Sequence, residues 1–275
     1  MILDGKYVSS LIKEEIKAEV ALLSTKPKIV DIQIGDNDAS EVYIKNKEKA
    51  SMSVGIEFEC VRFSKDTKES IIIDKIHELN NDSKVNGILI QSPIPSNFNF
   101  NKLVNEIDYR KDVDGLTNIN IGRLVNKEES LISCTPMGII KLLEYYKIEV
   151  FSKHVVIVGR SNLVGKPLIQ LFLNMDATVT ICHSKTDDLK KYTKEADILV
   201  VAVGKKHLIK KDMVKENSTI IDVGINKEND VLYGDVDFEG VKDIVKYITP
   251  VPGGVGPMTV AMLLFNTLKS YKSFR

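Results

Sequence analysis

The first ninety residues alternate between two kinds of hydrophobic pattern. Apolar residues at three- and four-residue steps predict an initial helix with one apolar stripe, formed by Val8, Leu11, Ile12, Ile16, Val20 and Leu23. Further helices are predicted at 38–54 and 69–81, and strands at 28–35, 56–60 and 87–91. Helices and strands that alternate in this way predict a parallel α/β sheet.

A second α/β series begins near residue 153, after a less regular stretch at 93–125 and a connecting helix at 135–146. Its predicted strands lie at 154–158, 177–181, 197–203 and 219–223. Its predicted helices lie at 163–174, 187–196 and 211–214, and a final helix at 257–271. The sequence therefore predicts an α/β protein of two domains with a cleft between them, the second a doubly wound sheet.

Composition narrows the class of protein. The 275 residues carry 38 basic and 38 acidic side chains, so no excess of positive charge indicates nucleic acid or an anionic membrane as a partner. Three cysteines without a CxxC pair argue against a disulfide framework or a cysteine zinc site. No secretory signal or membrane-spanning apolar run is recognisable. We expect a soluble cytoplasmic protein.

The run HVVIVGRSNLVGKP at 154–167 combines a buried strand, a glycine turn and a helix start. Such a turn lets backbone N–H groups and a helix N-terminus bind a pyrophosphate. The match to GxGxxG is imperfect, because Ser161 stands where the second glycine belongs and Gly165 comes one residue late. Taken alone, the run also fits an ordinary strand-to-helix turn.

The end of the next strand indicates which dinucleotide is bound. NAD enzymes usually carry an acid there, which bonds the ribose 2′-hydroxyl. Here the strand ends in Cys-His-Ser-Lys at 182–185, and Arg160 is close in sequence. A hydroxyl and cations suit a 2′-phosphate, so NADP is favoured over NAD, although these side chains could simply be solvated.

Tyr43 and Lys47 lie one turn apart on a predicted helix and therefore share a face. A tyrosine hydroxyl beside a lysine amine suits proton transfer. The same helix also carries Lys45 and Lys49, so the spacing alone favours a solvated lysine.

Three further features are candidate ligand contacts. Gln91 ends a buried strand, where ligands gather in open α/β sheets, although it could bond a neighbouring loop. Asp112 and Asp114 in the KDVDG run could bind a polar heterocycle or form a charged turn, and no further ligand at suitable spacing supports a metal. The loop TPVPGGVGP at 249–257 is stiffened by prolines and opened by glycines, which is typical of a ligand-site wall.

These runs together resemble the methylenetetrahydrofolate dehydrogenase/cyclohydrolases over essentially the whole chain. The matching stretches are LDGK at 3–6, GDNDASEVYIKNKEKA at 35–50, GILIQSPIP at 87–95, KDVDG at 111–115, CTPMG at 134–138, VVIVGRSNLVGKP at 155–167, DVGIN at 222–226 and TPVPGGVGPMT at 249–259. The resemblance implies oxidation of 5,10-methylene- to 5,10-methenyltetrahydrofolate with NADP, followed by hydrolysis to 10-formyltetrahydrofolate. An alternative is a dehydrogenase with weak cyclohydrolase activity.

The resemblance also implies residue roles and partners. Catalytic roles fall on Lys47, Tyr43, Gln91 and Asp114, with Lys47 as acid/base and Asp114 orienting the pterin. Cofactor contacts fall on Gly159, Arg160, Ser161, Ser184 and Ile225. Folate contacts fall on Tyr43, Lys47, Gln91, Asp114, Pro252, Gly253 and Gly254. A homodimer is expected, as are a folate domain of residues 1–135 with 257–275 and an NADP domain of residues 136–256.

Overall fold

The chain, described by a computed structural model over residues 1–273, divides into two compact units. The three-stranded unit comprises residues 11–134 and the chain from 260 onward. The five-stranded unit comprises residues 1–10 and 135–259. None of the helices within residues 1–273 is both long and apolar enough to cross a membrane.

The three-stranded unit is built on a parallel sheet. Its strands are β1 (Lys28–Ile34), β2 (Glu57–Phe63) and β3 (Gly87–Ile90), in the order β2-β1-β3. Its helices are most of α1 (Gly5–Ala21), α2 (Asp38–Ser53), α3 (Glu69–Asn81), α4 (Phe100–Asn105), α5 (Asn118–Val125) and much of α10 (Val255–Ser273). The helices and strands predicted before residue 92 are present within a few residues of their expected ends.

Strand β1 is buried on both faces. Val30, Ile32 and Ile34 point into the apolar core, where they meet residues of α3 and β3. Asp31 and Gln33 alternate with them and are also buried, at 0% and 3% exposure. An alternating pattern of this kind normally indicates one solvent-facing side. The polar face of β1 is covered instead, and this places polar groups inside the unit.

The irregular stretch 93–125 contains two short helices that the periodicity does not indicate. The Asn99 side chain accepts from Lys102 N at the start of α4, and the Thr117 side chain accepts from Asn120 N at the start of α5. Helices of six and eight residues are too short to show a repeating apolar stripe. Their caps are the local signal, since Asn and Thr are favoured at this position.

The five-stranded unit carries a second parallel sheet, in the order β10-β7-β6-β4-β5. The strands are β4 (His154–Val158), β5 (Thr178–Cys182), β6 (Ile198–Val201), β7 (Thr219–Asp222) and β10 (Tyr247–Ile248). A hairpin joins β8 (Asn226–Glu228) to β9 (Val231–Tyr233). The helices are α6 (Cys134–Tyr145), α7 (Gly165–Asn174), α8 (Leu189–Thr193) and α9 (Phe238–Val241), with a 3₁₀ turn at Lys211–Met213.

The strand order fixes where this unit can bind a ligand. Strand β4 is internal, β5 lies at the edge beside it, and β6 lies on its other side. The direction of winding therefore reverses at β4, as in other doubly wound sheets, whose ligands bind beyond the carboxyl ends of the strands at this point. The segments that follow β4 and β6 are thus the expected dinucleotide-binding segments.

The first ten residues group with the five-stranded unit, although the expected folate domain includes residues 1–135. Leu3 N donates to Ile248 O at 2.8 Å, and Ile248 N donates to Met1 O at 3.1 Å. These bonds pair the first residues of the chain with β10 at the edge of the sheet. No local sequence pattern predicts this pairing. The final helix begins at Val255, two residues before the expected start. Residues 274 and 275 of the expected range lie outside the described residues.

Candidate active site

Lys47 occupies the polar interior of the three-stranded unit. It lies on α2, the helix that follows β1, and its side chain is 15% exposed. Its Nζ is 2.7 Å from Asp31 Oδ2 and donates to Gln91 Oε1 at 2.7 Å. Asp31 lies on β1 and Gln91 follows the neighbouring strand β3. Two residues chosen from the sequence, Lys47 and Gln91, are therefore in direct contact, and Asp31 joins them.

The Asp31 carboxyl is under-satisfied. Its side chain has no exposed surface, and among the described residues Oδ1 has no hydrogen-bond partner. Burial raises the pKa of Asp31, while the charges of Lys47 and Arg62 act in the opposite direction. An interior carboxylate with one unpaired oxygen is a costly anion, which favours proton uptake.

The surroundings of Lys47 hold other polar groups. Arg62 on β2 forms an ion pair with Glu41 and a hydrogen bond to Gln33 Oε1. Gln91 is itself oriented, because its Nε2 donates to Ser92 O at 2.6 Å. The Gln91 oxygen therefore points at the Lys47 ammonium, since the amide nitrogen already donates elsewhere.

Tyr43 lies one turn before Lys47 on α2 and is 50% exposed. Within the described part of the chain it forms no hydrogen bond to Lys47 or Gln91. Its position on the helix places the ring on the same side as Lys47, in agreement with the spacing. Its exposure leaves the hydroxyl accessible to a ligand.

The two acids of the KDVDG run have different surroundings. Asp112 Oδ2 accepts from Thr117 N at 2.7 Å and from Asn120 Nδ2 at 2.9 Å, and its carboxyl is buried. Asp112 therefore ties this loop to the start of α5. Asp114 is partly exposed, and desolvation raises its pKa to about 6. The positive charge of Lys47 lowers the Asp114 pKa, but by less than burial raises it.

A network of buried hydrogen bonds holds the loop that carries Asp114. Cys134 Sγ lies 3.6 Å from Asp114 Oδ1 and 3.3 Å from Val113 O. Asn266 on α10 donates from Nδ2 to Val113 O and to Ile132 O, both at 2.8 Å. The final helix thus fixes the loop that presents Asp114, although it is distant in sequence.

The segment after β4 is a tight glycine turn. Gly159 has φ +125°, and a Cβ there would lie 2.3 Å from Ala202 O. A Cβ on Gly165, the first residue of α7, would lie 2.1 Å from Gly159 O. Both glycines are needed for close backbone packing. Arg160 and Ser161 between them are exposed.

The other predicted dinucleotide contacts follow two further strands of the same sheet, β5 and β7. Ser184 and Lys185 are exposed after β5, in a turn where His183 N donates to Thr186 Oγ1 at 2.9 Å. Ile225 follows β7 and is 50% exposed. The four residues at 182–185 include no acid. A large apolar side chain that stays exposed at a strand end is suited to cover an aromatic ring.

Asp235 joins two strand ends of the five-stranded unit. Its Oδ2 accepts from Val203 N at 2.7 Å and Gly204 N at 3.0 Å, and its Oδ1 accepts from Lys205 N at 2.7 Å and Asn226 Nδ2 at 3.0 Å. The carboxyl is completely buried. The segments after β6 and β7 are therefore held by one side chain.

Asp222 at the end of β7 is a second buried acceptor. It accepts backbone N–H groups from Gly224 at 3.0 Å, Asp235 at 2.9 Å and Val236 at 2.9 Å. Burial raises its pKa to about 6, because desolvation outweighs these hydrogen bonds. Asp222 and Asp235 are thus structural acceptors that shape the strand ends.

The TPVPGGVGP loop is held by backbone contacts within the five-stranded unit. Lys6 N donates to Gly253 O at 2.9 Å, and Gly254 N donates to Pro250 O at 2.9 Å. A Cβ on Gly5 would lie 1.8 Å from Gly254 O. Pro252 is exposed and Gly254 is buried. These contacts fasten the loop to the start of α1, and its role as a ligand-site wall stays a prediction.

Two family profiles cover almost the entire chain. Residues 3–114 match the catalytic domain of tetrahydrofolate dehydrogenase/cyclohydrolase, and residues 133–275 match its NAD(P)-binding domain. The chain belongs to the tetrahydrofolate dehydrogenase/cyclohydrolase family. It is thus an enzyme of the bifunctional class, as the resemblance implies.

Individual family members are similar over the full length. The bifunctional protein FolD of Campylobacter hominis is 49% identical, with 99% of this chain and 97% of that protein aligned. The crystal structure of FolD from Campylobacter jejuni superposes with a TM-score of 0.98 at 44% identity, covering 99% and 98% of the chains. That of Trypanosoma brucei FolD, complexed with NADP and an inhibitor, has a TM-score of 0.94 at 33% identity, covering 99% and 97%.

Sequence reasoning missed three acids that organise this family member. Asp31 sits in a strand whose alternation indicates a solvated face, so nothing local marks it as interior. Asp222 enters only as the first residue of the matching stretch at 222–226, and Asp235 lies outside every motif considered. A signal was available for the last two, because DVG and GDVD are acidic runs beside glycines at strand ends. Among the described residues, no group of acids, histidines or cysteines could hold a metal.

Proposed function

We propose that this protein oxidises 5,10-methylenetetrahydrofolate to 5,10-methenyltetrahydrofolate with NADP and then hydrolyses the product to 10-formyltetrahydrofolate. The observation that carries the proposal is the Lys47 ammonium held at 2.7 Å from both Asp31 and Gln91 in a polar interior. A dehydrogenase alone needs chiefly alignment of hydride donor and acceptor, whereas hydrolysis needs a residue that moves protons.

The residues of the glycine turn fit NADP. Close packing of Gly159 and Gly165 brings backbone to the start of α7, where Ser161 Oγ accepts from Val164 N at 3.1 Å. Arg160 and Ser184 are exposed and suit a 2′-phosphate. Together with Ser161 and Ile225 these residues would hold NADP, which when bound supplies the hydride acceptor.

Asp114 would bind the pterin. A carboxylate accepts from the donor-rich edge of that ring, and the loop that presents it is fixed by Asn266. We assign Asp114 to orientation of the substrate, with Tyr43, Lys47 and Gln91 as neighbouring contacts. Pro252, Gly253 and Gly254 are proposed as further folate contacts because their loop is fastened by backbone contacts and partly exposed.

Hydrolysis would use Lys47 as the acid/base. Water adds to the methenyl carbon and gives up a proton, and the N5–carbon bond then breaks as N5 takes up a proton. Gln91 orients the Lys47 amine through its oxygen. Tyr43 would donate or relay a proton at the exposed side of the same helix.

Two expectations about the cellular form belong to the same proposal. The three cysteines are free, which supports a reducing compartment such as the cytoplasm. We also propose a homodimer, as the resemblance implies. Sedimentation equilibrium on the purified chain tests it, and a mass of one chain at micromolar concentration would contradict it.

The deciding experiment supplies 5,10-methylenetetrahydrofolate with NADP and, in parallel, with NAD. Reduced cofactor and methenyltetrahydrofolate are followed together. Faster reduction of NADP without lasting accumulation of the methenyl compound supports the proposal. Accumulation of the methenyl compound would leave only the dehydrogenase, faster turnover with NAD would overturn the cofactor assignment, and absence of reduction would overturn the whole proposal.

A further inference from the structure

Among the described residues, Asp31 is the one contact of the Lys47 ammonium that neither the sequence patterns nor the family resemblance indicates. The carboxylate and ammonium form a buried ion pair, with side-chain exposures of 0% and 15%. Asp31 also differs from an ordinary structural ion-pair partner, because its Oδ1 has no partner among the described residues. Structural buried carboxylates are normally saturated by donors.

We propose that Asp31 is a positioning residue that holds Lys47 against Gln91 and accepts the Lys47 proton when hydrolysis requires the neutral amine. This inference rests on the proposed function. In the transfer, an N–H bond of Lys47 breaks and an O–H bond forms on Asp31 Oδ2, to which Nζ is already hydrogen-bonded at 2.7 Å. The ion pair becomes a neutral pair, so the net charge of the interior does not change.

The geometry supports this exchange on energetic grounds. An ion pair in a weakly polar interior loses hydration at both ends, and the loss is offset only when all remaining hydrogen-bonding positions are filled. Asp31 leaves one position unfilled. The unfilled position makes the charged pair less favourable than a fully satisfied one, and burial raises the pKa of Asp31 in the same direction.

Other titratable groups surround the Asp31–Lys47 pair and affect both its charged and its neutral form. Arg62 on β2 favours the Asp31 anion, but its guanidinium is already paired with Glu41. The Cys60 thiol on β2 has its pKa raised, chiefly by burial. On the side of the KDVDG loop, Asp114 and the buried Asp112 complete the titratable surroundings.

The variant Asp31→Asn distinguishes a proton acceptor at this position from a purely structural ion-pair partner. The amide retains the shape and one acceptor oxygen but cannot take up the proton. Removing an anion in contact with Lys47 disfavours the ammonium, so the Lys47-dependent limb of the hydrolysis pH profile moves by about one pH unit or more toward lower pH. Maximal hydrolysis falls by about tenfold or more, whereas the dehydrogenase changes by less than about threefold.

Two control variants show whether the effect of Asp31→Asn comes from a damaged fold or from the loss of the carboxylate. Asp74→Asn makes the same chemical change at an exposed position of α3 and leaves both activities unchanged. Asp31→Glu keeps a carboxylate and restores the pH limb toward that of the parent. The thermal unfolding midpoint of each variant shows whether a lost activity reflects lost folding.

A direct readout does not depend on catalysis. The ¹⁵Nζ resonance of Lys47 is titrated by NMR in the parent protein and in Asp31→Asn, and the Lys47 midpoint is expected to move to lower pH in the variant. Superposable pH profiles and unchanged hydrolysis in Asp31→Asn would overturn the proposal. An equal fall of both activities without a pH shift would also overturn it. Failure of the parent protein to hydrolyse methenyltetrahydrofolate would instead refute the proposed function.

Discussion

Two buried carboxylates, Asp235 in one unit and Asp31 in the other, have opposite surroundings. In the five-stranded unit, Asp235 accepts three backbone N–H groups and one side-chain amide. In the three-stranded unit, Asp31 is paired with the Lys47 ammonium through one oxygen, and within the described chain its other oxygen has no partner. One carboxylate fixes backbone, and the other retains capacity to change its protonation. Asp235 thus serves the shape of the five-stranded unit, whereas we propose that Asp31 serves the chemistry of the three-stranded unit.

The largest expected effect concerns Lys47, the partner of Asp31 in the three-stranded unit. Lys47→Met should lower hydrolysis of methenyltetrahydrofolate by about 10²–10⁴-fold, because the acid/base is removed. Hydride transfer should persist, since it depends on alignment. Steady-state assays of the two steps measure the difference.

Two further variants interpret the Lys47→Met result. Lys49→Met changes an exposed lysine on the same helix and should leave hydrolysis unchanged. Because Lys47→Met leaves Asp31 buried without its cation, the double variant Asp31→Asn with Lys47→Met should recover stability but not hydrolysis. Hydrolysis that survives in Lys47→Met would refute the assignment of Lys47.

On the structural side, Asp235→Asn should lower the free energy of unfolding of the five-stranded unit by about 3 kcal/mol. In the variant, an NH₂ group replaces a carboxylate oxygen that accepts hydrogen bonds from backbone N–H groups in the parent protein. Each buried donor that is left without an acceptor costs about 1–3 kcal/mol. Denaturant unfolding measures the loss, and amide exchange at residues 203–205 locates it.

Asp237→Asn is the matched comparison for Asp235. Asp237 is the N-cap of α9 and its side chain accepts from Gly240 N. Asn and Asp are about equally good N-caps, so this variant should change unfolding by less than about 0.5 kcal/mol. Equal destabilisation by the two substitutions would remove the special role assigned to Asp235.

A smaller effect concerns cofactor choice in the five-stranded unit. Ser184→Asp places an acid at the end of β5, where it bonds a free ribose hydroxyl and repels a 2′-phosphate. The ratio of kcat/KM for NADP to that for NAD should fall by about tenfold, or about 1.4 kcal/mol. Hydrolysis of supplied methenyltetrahydrofolate should stay unchanged, because it uses no dinucleotide. An unaltered ratio would place the 2′-phosphate elsewhere.

The smallest effect follows from the pH dependence of Asp114. Burial raises its pKa to about 6, so Asp114 is the carboxylate above that pH and becomes protonated as the pH falls through it. Because the pterin needs an acceptor, the dissociation constant of tetrahydrofolate should rise by about twofold at the pKa and more steeply below it. Calorimetric titration measures this rise. In Asp114→Asn binding should be weaker at neutral pH and should lose the inflection near the pKa.

Long periodic segments were predictable from the sequence because their information is local. The β4 prediction at 154–158 and the α3 prediction at 69–81 match the observed bounds. The family, the glycine turn and the choice of Lys47 and Gln91 as candidates also follow from ordered motifs. The β8–β9 hairpin, α9 and the two-residue strand β10 were not predicted, because segments of two to four residues carry too few positions to show a period.

What the sequence determined by itself was therefore the α/β class, the order of most elements and the family, together with a set of candidate site residues. Only the tertiary structure decided which polar residues are interior. Asp31 and Gln33 read as a solvated strand face, yet both are buried. Asp112 and Asp114 look equivalent in sequence, yet one fixes a loop and the other is partly exposed. Burial depends on segments distant in the chain, and burial sets both the pKa of a carboxyl and the partners it can reach.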